Sequence, residues 1–422
     1  MSAARSILDW LRNSIADAGL SFSGSLAGIS LKKLCRELIS ERGEASGTAI
    51  AREIAERYAN LDPRERASFF EGLLASNWLA DPNEVLKAAK AYQARQGAAE
   101  LSKLFHHAEP RHMELFRRIN AGPQGTQTII KMREDLLALL KEHPDLEPLN
   151  ADLVYLLSSW FNRGFLELRR INWRTPPVIL EKLIQYEAVH EIQGWPDLKR
   201  RLADDRRCFA FFHPALPDEP LIFVQVALTQ GIPQDIGPLL DIHGAPGNNA
   251  KSNTATFYSI SNCQEGLRHI SFGSFLLKQV IHELKHEDLR VKNFVTLSPV
   301  PGFRAWLGKQ APALASLEEA DPSHRDELTR WCARYLTSKV GNRAADPVQH
   351  FHLSNGASVE QINWMGDKSA KGMRQSLGFM VNYSYRLSRI ESNHESYVKE
   401  GALALSNKVQ EILGHPPKQE PA

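Results

Sequence analysis

The sequence predicts an α+β protein in two parts: an all-α helical bundle over residues 1–168, then a mixed α/β domain over residues 169–422. Three observations carry this. Up to about Arg169, apolar residues recur at helical spacing between short Gly, Pro, Asn and Asp breaks. After RRINWRTPP, around Arg169 to Pro177, the texture changes to β-branched and aromatic runs. Those runs come in the order strand, strand, strand, helix, strand, which reads as a mixed sheet with a helix packed on it.

In the first part, TAIAREIAERYANLDP, RERASFFEGLLASNWLADP and NEVLKAAKAYQARQG each read as a helix closed by a breaker. In GTQTIIKMREDLLALLKEHPDLEP, the residues Ile129, Met132, Leu136, Leu137 and Leu140 line one helical face, and His143-Pro144 closes it. No catalytic pattern and no solenoid period is visible here. In the second part, Cys208 to His213 and Leu221 to Leu228 are strand-like runs joined by a Pro/Asp turn, a hairpin signature. TATFYSIS, Thr254 to Ser261, is a third strand. His243 to Asn253 is a loop with the composition of a mobile one. SFLLKQVIHELKHE places Leu277, Val280, Ile281 and Leu284 on one helical face, and VKNFVTLS is the next strand, ending at Ser298.

At 422 residues the chain can bury a large core without staples. Lys+Arg of 51 against Asp+Glu of 49 gives a net charge of +2, which argues against nucleic acid as the main partner. Cys35, Cys208, Cys263 and Cys332 lack CxxC spacing, so they read as buried thiols in a reducing compartment. No apolar run reaches the roughly 20 residues of a membrane helix, and the start lacks a signal-peptide core. A cytoplasmic protein is expected, with no membrane partner.

Between the third strand and its helix lies RHISFGSFLL. A strand that turns into a helix aims free N–H groups and the positive dipole end at the turn, where pyrophosphate binds well. The stretch resembles the R/Q-x-x-G-x-G/A signature of GCN5-related acetyltransferases, with Arg268 first, Ser271 in place of the first glycine and Gly273 in the second glycine position. Arg268, Ile270, Ser271, Phe272, Gly273 and Ser274 are therefore candidate coenzyme A contacts. A helix N-terminus capped by Ser271 or Ser274 is the plainer reading. In that fold the signature strand and the next one splay apart around the acyl-thioester arm, so the resemblance puts Ser298 near the acyl end.

Ser298 stands in TLSPVPGF, boxed by Pro299, Pro301 and Gly302. The prolines fix φ around the serine and Gly302 is expected to permit a tight turn, which holds the hydroxyl still. FHLSNGA sets His352 beside a turn shaped by Asn355. These segments, with INWM, VNYSY, FYSIS, KRRL and EPLIFVQVALT, resemble malonyl-CoA decarboxylase, and the resemblance covers the chain well from about Arg169 to the NYSY segment and the helical half more loosely. It implies a helical oligomerisation domain and an acetyltransferase-like catalytic domain. It also implies conversion of malonyl-CoA to acetyl-CoA and carbon dioxide with no metal or organic cofactor, coenzyme A being part of the substrate. The partner it implies is a second copy of the chain, in a homotetramer built as a dimer of dimers. The family's proposed catalytic serine and histidine fall on Ser298 and His352, and a supporting tyrosine on Tyr385. Pro299, Gly302 and Asn355 join the substrate-side candidates, with turn shaping as the plainer role of Asn355.

The chemistry suits these residues. Loss of carbon dioxide leaves an electron pair on C2 that the thioester carbonyl accepts as an enolate, so orientation, oxyanion stabilisation and one proton are what the protein adds. Ser298 reads as a hydrogen-bond partner rather than a nucleophile, because SPVPG is not the G-x-S-x-G elbow. His352, with an unperturbed pKa near 6.5, can donate the proton near neutral pH if its site raises that value slightly. Tyr385 orients the histidine or is an ordinary half-buried tyrosine.

VIHELKHE contains H-E-x-x-H at His282, Glu283 and His286, the pattern of a zinc metallopeptidase helix. Lys285 and Glu287 are unlike the apolar setting of such sites, and a solvated face opposite the Leu277/Val280/Ile281/Leu284 stripe is the preferred reading. Two rival functions remain compatible with a coenzyme A site: an acyl-CoA N-acyltransferase, and a noncatalytic protein that binds coenzyme A esters.

Overall fold

Capping residues start the helices where the sequence places its breaks. Asp62 accepts from the N–H of Glu65 at 2.8 Å while the Glu65 carboxylate accepts from the N–H of Asp62 at 2.9 Å, a capping box ahead of the helix Pro63–Leu73. Asp81 caps the helix Pro82–Ala94 through the N–H of Asn83. The computed structural model describes residues 26, 28–40, 44–270, 276–287, 290–317 and 321–414. They fall into two units, one of those up to residue 162 together with 264–270, the other of 163–263 and those from residue 276 on.

The first unit is helical. Its helices include Leu31–Leu38, Glu44–Ala59, Arg111–Ala121, Gly125–Leu139 and Glu147–Trp160, and Ile54, Phe70, Phe116 and Leu153 are fully buried in its core. Ile129, Met132 and Leu136 of the expected stripe are buried, and Leu137 and Leu140 are half-buried. The unit also holds a segment distant in sequence. Arg133, 1 % exposed, donates to the carbonyl oxygens of Gly266 at 2.6 Å and Arg268 at 2.9 Å. A Cβ on Gly266 would lie 2.0 Å from the Ile130 carbonyl oxygen, so only glycine permits this approach.

The second unit is built on a sheet. Its strands are β1 (Glu167–Ile171), β2 (Arg206–Phe212), β3 (Ile222–Thr229), β4 (Thr254–Asn262), β5 (Asn293–Thr296), β6 (Ser298–Pro299), β9 (Ser358–Asn363) and β10 (Met380–Ser384), while β7 (Lys339–Val340) and β8 (Arg343–Ala344) form a separate hairpin. The sheet order is β1-β2-β3-β4-β5-β10-β6, with β9 also paired to β10. The expected β2–β3 hairpin is antiparallel, and β4 and β5 pair in parallel from Thr254↔Asn293 to Phe257↔Thr296. Beyond that point β4 runs on to Asn262 paired with β3, so β4 and β5 part where the acetyltransferase-like reading expects a splay. Strand β1 was not legible in the sequence: ELRRI is a charged edge strand whose burial alternates poorly.

The connection from β4 to the helix Leu276–His286 differs from the short turn that the sequence implies. Its described part, residues 263–270, contains the 3-10 turn Glu265–Leu267, which Arg133 holds. Leu277, Val280, Ile281 and Leu284 of that helix are buried, and His282, Glu283 and His286 are exposed. All four cysteines are buried and free. Among the described residues no helix is long and apolar enough to cross a membrane.

Candidate active site

The site begins at a break in a strand. β5 stops at Thr296, the N–H of Leu297 bonds to the Phe257 carbonyl at 2.9 Å, and Ser298 restarts as β6. β10 spans the break, pairing Ser384 with Val295 and Val381 with Ser298. Pro299 has no N–H to give a further neighbour, which an edge strand such as β6 tolerates.

The conformation of Gly302 corrects one expectation. Its φ of −89° and ψ of −9° are open to any residue. What requires glycine is space, since a Cβ there would lie 2.2 Å from Tyr335 Oη. That hydroxyl donates to Asp346 Oδ2 at 3.2 Å, and Asp346 caps the helix Pro347–Ser354 through the N–H of Gln349. The helix carries His352 in its last turn. Asn355 ends it, with its side-chain amide turned back to the Phe351 carbonyl at 2.8 Å, and Gly356 follows at φ +80°. The geometry shown for Asn355 is thus that of a helix end.

These elements bring Ser298, His352 and Tyr385 together. Ser298 Oγ lies 3.0 Å from His352 Nε2, and His352 Nδ1 lies 2.8 Å from Tyr385 Oη. The Ser298 hydroxyl donates to Thr296 Oγ1 at 2.9 Å, and the same oxygen accepts from the N–H of Tyr383 at 3.1 Å. The Tyr383 ring stacks on the imidazole, with centroids 4.4 Å apart and planes at 27°. Ser298 is 6 % exposed, His352 and Tyr385 2 % each, and Thr296 and Tyr383 fully buried.

Burial decides the electrostatics. It pushes the His352 imidazole down to about 3, so the slight rise that a charged donor near neutral pH would need is not present. The rise would need an anion facing the ring, and the ring's neighbours are hydroxyls and aromatic carbon. His352 is therefore neutral at pH 7. Burial likewise raises Tyr385 and Tyr383 well above the usual phenol range, so both keep their protons.

The sequence matches the family described as malonyl-CoA decarboxylase C-terminal domain over residues 164–422, and its N-terminal domain over residues 78–161. The chain belongs to the malonyl-CoA decarboxylase family. It is 34 % identical over 411 residues to the mitochondrial malonyl-CoA decarboxylase of Anser anser anser, covering 85 % of this chain and 82 % of that one. With the Mus musculus protein of the same name it shares 31 % over 458 residues, covering 94 % and 93 %. Its structure resembles the crystal structure of malonyl-CoA decarboxylase from Rhodopseudomonas palustris with a TM-score of 0.85 and 46 % identity, over 90 % of this chain and 98 % of that one. For the Agrobacterium vitis protein the values are 0.84 and 45 %, over 91 % and 99 %.

The other expected contacts lie elsewhere or are not described. Arg268 is exposed and Ile270 buried in the segment that belongs to the helical unit. Ser271, Phe272, Gly273 and Ser274 lie outside the described residues. Sequence reasoning missed Thr296 and Tyr383. A signal for Thr296 existed, since it stands two residues before Ser298 and alternate residues of an extended chain share a face.

Proposed function

We propose that the chain decarboxylates malonyl-CoA to acetyl-CoA and carbon dioxide through the thioester enolate, with the Ser298 hydroxyl at the malonyl group and His352 as the proton source. The observation that carries this reading is the buried chain Tyr385–His352–Ser298, at the break where β5 leaves β4, in a chain of this family. The bond between C2 and the carboxylate breaks, and its electron pair passes into the thioester carbonyl. Hydrogen bonding from Ser298 orients the departing carboxylate or the enolate oxygen. The Ser298 hydroxyl then gives its proton to C2 as Oγ takes that of His352 Nε2, and one proton from solvent restores the imidazole, with Tyr385 remaining a neutral phenol against Nδ1. The substrate is its own electron sink, so the chemistry asks for no added cofactor.

The same reading assembles the chain as a homotetramer through its helical part, as the family resemblance implies. It also places the chain in the cytoplasm, a reducing compartment that suits four buried thiols.

The test is an end-point assay of pure protein with malonyl-CoA and no acyl acceptor. Equal amounts of acetyl-CoA and carbon dioxide are expected. Acyl transfer only when a primary amine is supplied would replace the proposal with an N-acyltransferase. Binding of coenzyme A esters without turnover would remove the enzymatic reading.

A further inference from the structure

We propose that Thr296 is a positioning residue that sets the direction of the proton chain, holding His352 in the form that carries its proton on Nε2. The proposal deepens the reading of Ser298 and His352 as the reacting pair and rests on it. Thr296 is fully buried and gripped at two atoms by consecutive residues of β10. The N–H of Tyr383 donates to its Oγ1 at 3.1 Å, and Asn382 Nδ2 donates to its carbonyl oxygen at 2.7 Å. Asn382 is itself held, because its Oδ1 accepts from Asn363 Nδ2 at 2.7 Å, and Asn363 Oδ1 accepts from Gln361 Nε2 at 2.7 Å. The acceptor that meets the Ser298 hydroxyl is thus fixed in place.

A hydroxyl has one proton. In the substrate-free site Ser298 gives its proton to Thr296 at 2.9 Å, and with substrate bound that proton swings to the malonyl group, so in both states only lone pairs of Oγ remain for His352. The 3.0 Å contact then requires an N–H on Nε2. A neutral imidazole has a single N–H, so Nδ1 is the acceptor and the Tyr385 hydroxyl donates to it across 2.8 Å. In this row the donors Tyr385, His352 and Ser298 all point toward Thr296. Removing the Thr296 hydroxyl frees the Ser298 proton to turn to Nε2, which reverses the row into the base-to-nucleophile arrangement of hydrolases. Thr296 therefore separates a pair that delivers a proton from a pair that withdraws one. The Tyr383 ring stacked on His352 keeps the imidazole plane in line with both contacts.

The experiment reads the tautomer directly. Full-length protein is labelled with 15N-histidine, and the His352 signals are assigned by their loss in His352→Asn. In the unmodified protein the proton should sit on Nε2. In Thr296→Val it should move to Nδ1, with kcat lowered roughly 10- to 100-fold and KM little changed. Thr296→Ser, which keeps the hydroxyl, should restore both the Nε2 proton and turnover. An Nδ1 proton in the unmodified protein overturns the proposal even if no variant folds. Thr296→Val with the Nε2 proton retained, or with full kcat, overturns it as well. Absence of decarboxylation in the unmodified protein would instead remove the proposed function, and the tautomer measurement distinguishes that failure because it needs no turnover.

Discussion

Ser298 and His352 are joined by one 3.0 Å contact between residues 54 positions apart, and both are almost fully buried. If they perform the chemistry, Ser298→Ala and His352→Asn should each lower kcat by about 10²- to 10⁴-fold, the range of a lost general acid or oxyanion partner. Affinity for acetyl-CoA should change little, and near wild-type turnover in either variant would remove its assigned role. Protonation state adds a second expectation. An imidazolium donor with a pKa near 6.5 would make activity fall as pH rises through neutrality. With burial holding His352 down to about 3, the group stays neutral between about pH 5 and pH 8. The profile of kcat/KM, which reports the free enzyme, should therefore carry no histidine step in that range. A step near pH 6.5 that disappears in His352→Asn would show that the ring is charged.

At the level of elements, the helix Leu276–His286 is where motif and packing disagree. Its H-E-x-x-H pattern matches a zinc site, yet His282, Glu283 and His286 face outward, while Leu277, Val280, Ile281 and Leu284 are buried. Four-residue spacing puts two histidines on one face of any helix, and the pattern alone does not say whether that face is buried. The double variant His282→Ala, His286→Ala should keep most decarboxylase activity with a stability change typical of surface substitutions. Loss of turnover, restored by zinc in the unmodified protein after chelation, would establish a metal role. The strand break at Leu297 makes the opposite case. SPVPG announces a constrained serine through its prolines, and the sequence continues as one strand up to it. The gap that separates β5 from β6 follows from β10, which pairs with both and whose register no local pattern specifies.

For the whole molecule, amphipathic helices without chemistry in the same chain as a catalytic unit imply self-association, and the family resemblance makes a tetramer the expected form. Sedimentation at micromolar concentration should show a homo-oligomer, and a monomer would count against it. Ser298 and His352 became candidates only through the family resemblance that motifs such as TLSPVPGF and FHLSNGA carry, while the sequence by itself determined the helical first part, the sheet-based second part and most of the strands from β2 to β5. These are local signals, set by periodicity and by residues that restrict φ. Tertiary structure alone decided that residues 264–270 join the helical unit through Arg133, that Gly302 is needed for space beside Tyr335, and that Thr296 and Tyr383 complete the row around His352. It also decided the charge of that histidine. Contacts of this kind join residues far apart in sequence and depend on strand register and burial, neither of which leaves a mark on the neighbouring letters.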